Sequence, residues 1–303
     1  MKELSLNIPS PIEQLTGFSD FCNVYIKREE LIHSDFGGNK WRKLKYNIKE
    51  YYEKGYGVMI TFGGPFSNHI AATAAVCAVY DIPSVGIIRG TYNDPNNPTL
   101  IEAKKRGMQL HHVPKDAYRL KTDSVIISDI IQSYDKPLVI PEGGNNVEGM
   151  YGMKDLASEI ENYNIDFDVI GVAAGTGATS AGIIKYSESH AVIKVINVLR
   201  NKSLAGYIGT QVDRTSNDWQ VIGDYHFGGY AKTTQELQSY ALQFADTYNV
   251  HLDPVYNSKL FYAMHDMMSQ RMINEGSDVL IINTGGYQGI EAYNYVNEKP
   301  WIR

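Results

Sequence analysis

The sequence predicts an α/β protein built on open parallel sheets. Three observations carry this. Short runs rich in Val and Ile recur along the chain with little polar alternation, as strands buried on both faces require. Between them lie stretches whose apolar residues repeat at helical spacing. Glycine-rich turns stand where the runs end and the helices begin.

In chain order, the expected strands are 24–27, 58–62, 84–88, 109–112, 138–140, 169–173, 194–198 and 279–283. Trp41, Leu44, Ile48 and Tyr51 fall on one apolar stripe of a helix. Residues 69–80 (HIAATAAVCAVY) are Ala-rich and apolar on most sides, which reads as a buried helix. Residues 178–187, 234–248 and 258–275 read as three more helices. The Asn/Pro-rich stretch 92–98 is a surface loop inside a domain, because patterned sequence resumes on both sides. With 303 residues, about two domains are expected. No linker-like segment separates two halves. One lobe, 45–155, is therefore expected to be inserted into another made of 1–44 and 156–303.

Composition narrows the class. The chain is 43% hydrophobic and 20% charged, which excludes disorder, collagen and coiled coil as the main architecture. Two cysteines, Cys22 and Cys77, cannot build a disulfide scaffold or a thiolate zinc site. A net charge of −6 argues against general nucleic-acid binding, since phosphate contacts need clustered cations. No apolar run approaches the roughly 18 residues of a membrane span, and the first residues hold no signal-like apolar core. A cytoplasmic protein with reduced cysteines is expected. Tyrosine is abundant, at 22 residues against 9 Phe, so catalytic phenols are worth seeking.

Four glycine turns share one geometry, that of a strand end or a helix start, where open α/β sheets bind ligands. In Gly37-Gly38-Asn39-Lys40-Trp41-Arg42-Lys43, Asn39 is placed to cap a helix, with Lys40 and Lys43 in its first turn. Cations are unfavourable beside the positive helix end, so Lys40 has a reason to lose its proton, as a covalent amine catalyst must. A solvated basic helix start is the simpler reading of that lysine taken alone. Gly63-Gly64-Pro65-Phe66-Ser67-Asn68-His69 opens the Ala-rich helix with two capping residues. It serves either as plain capping or as a polar cradle for an anion. Ser67 and His69 do not make a hydrolase, because no Gly-x-Ser-x-Gly elbow surrounds them. Gly175-Thr176-Gly177-Ala178-Thr179-Ser180 exposes backbone N–H groups and two hydroxyls at a helix start. Ser180 stands where a dinucleotide fingerprint needs its third glycine, so a single phosphate suits the turn better than a pyrophosphate. Thr284-Gly285-Gly286 places a hydroxyl at the end of the last strand. One lysine primed to lose its proton, one cup for a lone phosphate and no metal cluster together point to pyridoxal 5′-phosphate (PLP).

At these residues the chain resembles the fold-type II PLP enzymes of the D-cysteine desulfhydrase and 1-aminocyclopropane-1-carboxylate (ACC) deaminase group. The resemblance runs over nearly the whole chain. It is carried by Lys27-Arg28-Glu29-Glu30-Leu31, the 38–44 lysine motif and Ser67-Asn68-His69. Asn93-Asp94-Pro95-Asn96-Asn97-Pro98, Asp253-Pro254-Val255-Tyr256 and Thr284-Gly285-Gly286 complete it. It implies a tryptophan-synthase-β-like fold, PLP held in the larger domain (1–44 plus 156–303), a small amino-acid substrate and a homodimer. Lys40 matches the lysine that carries the cofactor, and Lys43 assists at the phosphate. Asn68 matches the partner of the ring hydroxyl. Gly175, Thr176, Gly177, Ala178 and Thr179 match the phosphate loop, with Ala178 where the family often has Gly. Thr284 matches the hydroxyl beside the pyridine nitrogen. A neutral group there would not keep that nitrogen protonated, which favours elimination. Tyr230 and Tyr256 match two active-site tyrosines, with Tyr287 a weaker third. Ser67 and His69 match carboxylate contacts, with Ser67 also counted among the catalytic groups; Asn68, Asn257 and Tyr287 complete the implied substrate site. In the family, true ACC deaminases carry Glu after the second tyrosine and Leu before the paired glycines. Asn257 and Thr284 stand in those places, and Thr284 is the desulfhydrase-like choice. The expected reaction is elimination with deamination, D-cysteine to pyruvate, sulfide and ammonia. ACC ring opening is the alternative, and a non-catalytic binder that kept the fold is a third reading.

Overall fold

A computed structural model describes residues 4–92, 94–212, 218–297 and 300–301; Asn93 of the Asn93–Pro98 motif lies outside them. The strands are β1 (Ile12–Gln14), β2 (Asn23–Arg28), β3 (Val58–Gly63), β4 (Ser84–Arg89), β5 (Gln109–Val113), β6 (Pro137–Ile140), β7 (Val169–Ala174), β8 (Val192–Asn197), β9 (Trp219–Ile222) and β10 (Asp278–Asn283). The helices are α1 (Asn39–Lys54), α2 (Asn68–Val79), α3 (Pro98–Lys105), α4 (Lys115–Leu120), α5 (Val125–Gln132), α6 (Val147–Glu161), α7 (Ala178–Tyr186), α8 (Leu204–Gln211), α9 (Gln235–Tyr248), α10 (Asn257–Ser269) and α11 (Gln288–Asn297). All eight expected strands are present. The helix expected over 258–275 stops at Ser269, where Gln270 closes it through backbone bonds to Asp266 and Met268. β1 and β9 are additions at the sheet edges, α3 to α6 and α8 are additions between strands, and α11 is an addition after the last strand.

The strands form two sheets. One has the order β1-β2-β10-β7-β8-β9 and is parallel except for the β1–β2 pair. The other has the order β5-β4-β3-β6 and is parallel throughout. β3 and β7 are buried at every residue, which is why they read as unbroken apolar runs. Apolar side chains cover both faces of the larger sheet. Ile26, Phe261 and Met264 belong to one cluster, and Val172, Ile183 and Leu280 to another.

In each sheet the strand order turns back once. From β3 the chain winds out through β4 and β5, then returns to β6 on the other side. From β7 it winds out through β8 and β9, then returns to β10. Each reversal leaves a crevice at the carboxyl ends of the strands, and open α/β sheets bind ligands there.

Helix α6 explains its own absence from the sequence pattern. It packs along α1 and carries Gly149 and Gly152. A Cβ at Gly152 would collide with the carbonyl oxygen of Arg42. Glycine therefore buys close approach of two helix backbones at a cost in helix propensity. Gly152→Ala should lower stability by about 1–3 kcal/mol, the usual cost of overpacking, read as a fall in Tm.

Candidate active site

A cavity of about 660 Å³ opens at the two crevices, within the range of small-molecule sites. Gly64 and Glu142 line it just beyond β3 and β6, and Gly175 and Thr284 just beyond β7 and β10. The first turn of α1, the start of α2 and one side of α11 complete the wall. Lys40, Lys43, Ser67, Asn68, His69, Gly175, Thr176, Gly177, Thr179, Tyr230, Tyr256 and Thr284 all line this one cavity, although they come from six separate stretches of chain.

Lys40 and Lys43 enter from α1. Gly38 caps that helix at φ 99°, and a Cβ there would collide with the Thr284 carbonyl. Asn39 is not the cap. It is the first helical residue, and its Nδ2 donates to Thr179 Oγ1 at 3.0 Å, joining α1 to α7. Burial draws the Lys40 amine down to about 8, with the Asp253 charge opposing. Burial also holds Lys43 well below its usual value, and the charge of Lys40 adds to this. Lys43 Nζ donates to Gly143 O at 3.0 Å, so its amine is tied to the turn after β6.

Ser67 caps α2: its Oγ accepts from His69 N at 3.2 Å and Ile70 N at 3.3 Å. Among the described residues nothing accepts its own proton, which can serve a ligand. Among the described residues Asn68 Oδ1 is buried without a partner. His69 is buried, with Nε2 2.9 Å from Thr61 Oγ1. Thr61 donates its single proton to Ile140 O at 2.9 Å, so His69 Nε2 must be the donor to Thr61. Nδ1 is then an unprotonated acceptor, and among the described residues it has no partner. Burial, then Lys40 and Lys43, hold the ring well below its usual pKa. A neutral acceptor repels a carboxylate, so the carboxylate contact expected of the His69 side chain does not fit this protonation.

Gly177, at φ 92°, caps α7 with no side-chain bond. The first N–H groups of α7 are thus left without a side-chain cap, a geometry that suits an anion with the helix dipole behind it. Ala178 is the first residue of that helix and is fully buried, small enough to leave the turn intact. Ser180 lines the same end, its Oγ buried and unpartnered. The Tyr256 ring packs on this turn, since a Cβ at Gly175 would lie 3.1 Å from Tyr256 Cε1. Burial raises the phenols of Tyr256 and Tyr230, the second against the nearby charge of Arg89.

Two expected contacts do not reach the cavity. Asn257 is fully buried and spent within the protein. Its Nδ2 donates to Asp253 Oδ1 at 2.8 Å and Gly285 O at 2.6 Å, and its Oδ1 accepts from Thr284 N at 3.1 Å and Oγ1 at 3.3 Å. It holds Thr284 rather than a substrate. Tyr287 is not among the lining residues; burial and then the charge of Glu30 raise its phenol, with Arg28 opposing. Asp253 is a residue whose role the family resemblance does not indicate. Its carboxylate accepts from the backbone N–H groups of Val255, Tyr256 and Asn257, at 2.8–2.9 Å. The signal was legible, since Asp-Pro before a helix marks an N-terminus.

Residues 4–285 match the family described as pyridoxal-phosphate dependent enzyme. The chain belongs to that family. A Thermotoga maritima protein named putative 1-aminocyclopropane-1-carboxylate deaminase is 31% identical over 96% of this chain and 97% of its own. An Arabidopsis thaliana protein named bifunctional D-cysteine desulfhydrase/1-aminocyclopropane-1-carboxylate deaminase, mitochondrial, is 30% identical over 94% of this chain and 78% of its own. The crystal structure of an ACC deaminase homologue superposes with a TM-score of 0.79 at 27% identity, covering 95% of this chain and 92% of that one. The fold is therefore PLP fold type II, the protein is an enzyme, and PLP is its cofactor. The residues of the cavity fit that group. The start of α7 carries no side-chain cap and so suits a phosphate, and among the described residues buried polar atoms of Asn68 and Ser180 lack partners. An amine with lowered pKa stands beside them. Among the described residues no cluster of metal ligands occurs, and no helix is long and apolar enough to cross a membrane.

Proposed function

We propose that this enzyme eliminates the β-substituent of a small amino acid and deaminates it, with D-cysteine giving pyruvate, hydrogen sulfide and ammonia. The observation that carries this reading is Thr284: it lines the cavity at the end of β10, and its hydroxyl is held by Asn257, an amide and not an acid. PLP, when bound, supplies the electron sink that makes the α-proton of an amino acid acidic.

This chain's residues supply the rest. Gly175, Thr176, Gly177, Ala178 and Thr179 hold the phosphate, with Lys43 nearby. Asn68 meets the ring hydroxyl and Thr284 the ring nitrogen. Ser67 donates to the substrate carboxylate beside Asn68. Lys40 would carry the cofactor, and its amine removes the α-proton, because burial lowers its pKa to about 8 and so raises the share of free base over that of an ordinary lysine. Tyr230 and Tyr256 keep their protons at neutral pH, so either can protonate the departing sulfur. With one water taken up, the atoms balance: C₃H₇NO₂S becomes pyruvate, H₂S and NH₃.

The same reading carries a homodimer, a cytoplasmic location and the division 1–44 plus 156–303 around 45–155. The division is supported by β3 to β6 forming a sheet of their own. Product analysis is the test. Pyruvate and sulfide from D-cysteine are expected. 2-Oxobutyrate from ACC as the main product would overturn the choice of substrate, and no product from any β-substituted amino acid would leave a PLP binder.

A further inference from the structure

Lys259 lies wholly inside the protein and has no carboxylate partner among the described residues. Its ammonium meets three backbone carbonyls instead: Gly229 O at 2.7 Å, His226 O at 2.9 Å and Val198 O at 3.5 Å. The oxygens come from two separate segments, the end of β8 and the turn that leads into Tyr230. That turn is unfavourable in itself. Phe227 and Ala231 are non-glycine residues at φ 50° and 52°, and Gly228 and Gly229 lie between them at φ 94° and 109°. Something must hold it.

An ammonium matches this set of partners. It has three donors and no acceptor, and it meets three oxygens without a competing N–H. Burial lowers the Lys259 amine to about 8 against the charge of Asp253, so the charged form still holds at neutral pH. Lys259 is also three residues beyond Tyr256, the cap of α10. Tyr256 is thus tied to that helix by the chain, and Tyr230 by this carbonyl cage.

We infer that Lys259 is a built-in monovalent cation whose carbonyl cage fixes the 226–230 turn and so sets the Tyr230 phenol at the cavity. It is a positioning residue. The inference rests on the reading of Tyr230 as a proton donor to the leaving group. It predicts that wild-type holoenzyme needs no added potassium or ammonium.

Lys259→Ala opens the cage to a free cation. Its kcat should fall with that of Tyr230→Phe, by about 10²-fold for a lost general acid, with KM little changed. Ammonium chloride should restore both its kcat and its Tm, and tetramethylammonium chloride at equal ionic strength should restore neither, being too large. A folded Lys259→Ala with wild-type kcat, or one whose loss ammonium leaves unrepaired, would overturn the inference. Should that variant not fold, Lys259→Gln keeps two donors without the charge, and wild-type kcat there would overturn it equally. Tyr230→Phe with wild-type kcat would sink the role given to Tyr230 alone, since the ammonium effect on the Tm of Lys259→Ala still reads the cage.

Discussion

Lys40→Ala should cut kcat by about 10³-fold or more, the range spanned by a lost covalent amine and general base. The purified variant should also lose the visible absorption band and the borohydride-trapped cofactor of the wild-type protein. Two lysines line the cavity three residues apart on α1, and both are pushed toward the neutral amine. Geometry separates them. Lys43 is bonded to the Gly143 carbonyl, whereas Lys40 has no such tether among the described residues. Lys43→Ala should therefore keep the band and weaken cofactor retention. Lys40→Arg should be as inactive as Lys40→Ala, because a guanidinium does not give up its proton. A pH series adds a reading that does not depend on turnover. PLP capture by the apo protein requires the free amine, so its rate should climb as pH rises through about 8 rather than 10.5. A Lys40→Ala protein that retains full activity sinks the assignment, and a band that depends on Lys43 instead would transfer it.

The parallel strands were legible because burial on both faces leaves a continuous apolar run, as in β7 and β10. β1 and β9 were not. They are three and four residues long, lie at the edges and mix polar with apolar side chains. The glycine turns at 38 and 177 were legible because left-handed backbone leaves a mark in composition. Side-chain direction was not. Asn257 reads as a site residue from its place after Tyr256, yet the Asp253 and Gly285 oxygens turn its amide away from the cavity. Lys259 left no pattern, because its partners are carbonyls 30 to 61 residues away, and every residue type has one. His69 shows a third case. Its identity was visible, but its tautomer depends on where Thr61 sends a proton.

Glu159→Gln should destabilise the protein by about 3–5 kcal/mol, as expected when one partner of a buried ion pair is removed. Glu159 on α6 receives Arg42 of α1 through two parallel bonds, Nη2 to Oε2 at 2.7 Å and Nη1 to Oε1 at 3.0 Å. Lys27 of β2 donates to the same Oε2 at 2.7 Å and to Ser10 O at 2.6 Å. Arg42 also pairs with Glu29, which is fully buried. Two cations thus face two carboxylates, and removing one leaves a buried charge unpaired. The amide of Gln is isosteric, so the loss measures charge rather than packing. The effect should carry a pH signature. Burial alone would raise the Glu159 pKa. The Arg42 hydrogen bond and charge, followed by those of Lys27, outweigh it and hold the group below its ordinary 4.5. A carboxylate depressed in the folded state binds fewer protons there than in the unfolded chain. Its contribution is therefore complete above about 4.5 and is lost as pH falls through the folded value. The Tm difference between wild type and Glu159→Gln should be constant near neutrality and narrow under acid. Arg42 is two residues beyond Lys40 on the same helix, so the loss should reach the active site as well, as faster release of PLP before global unfolding. A Glu159→Gln protein with wild-type Tm at pH 7 would show that this ion cluster does not anchor α1.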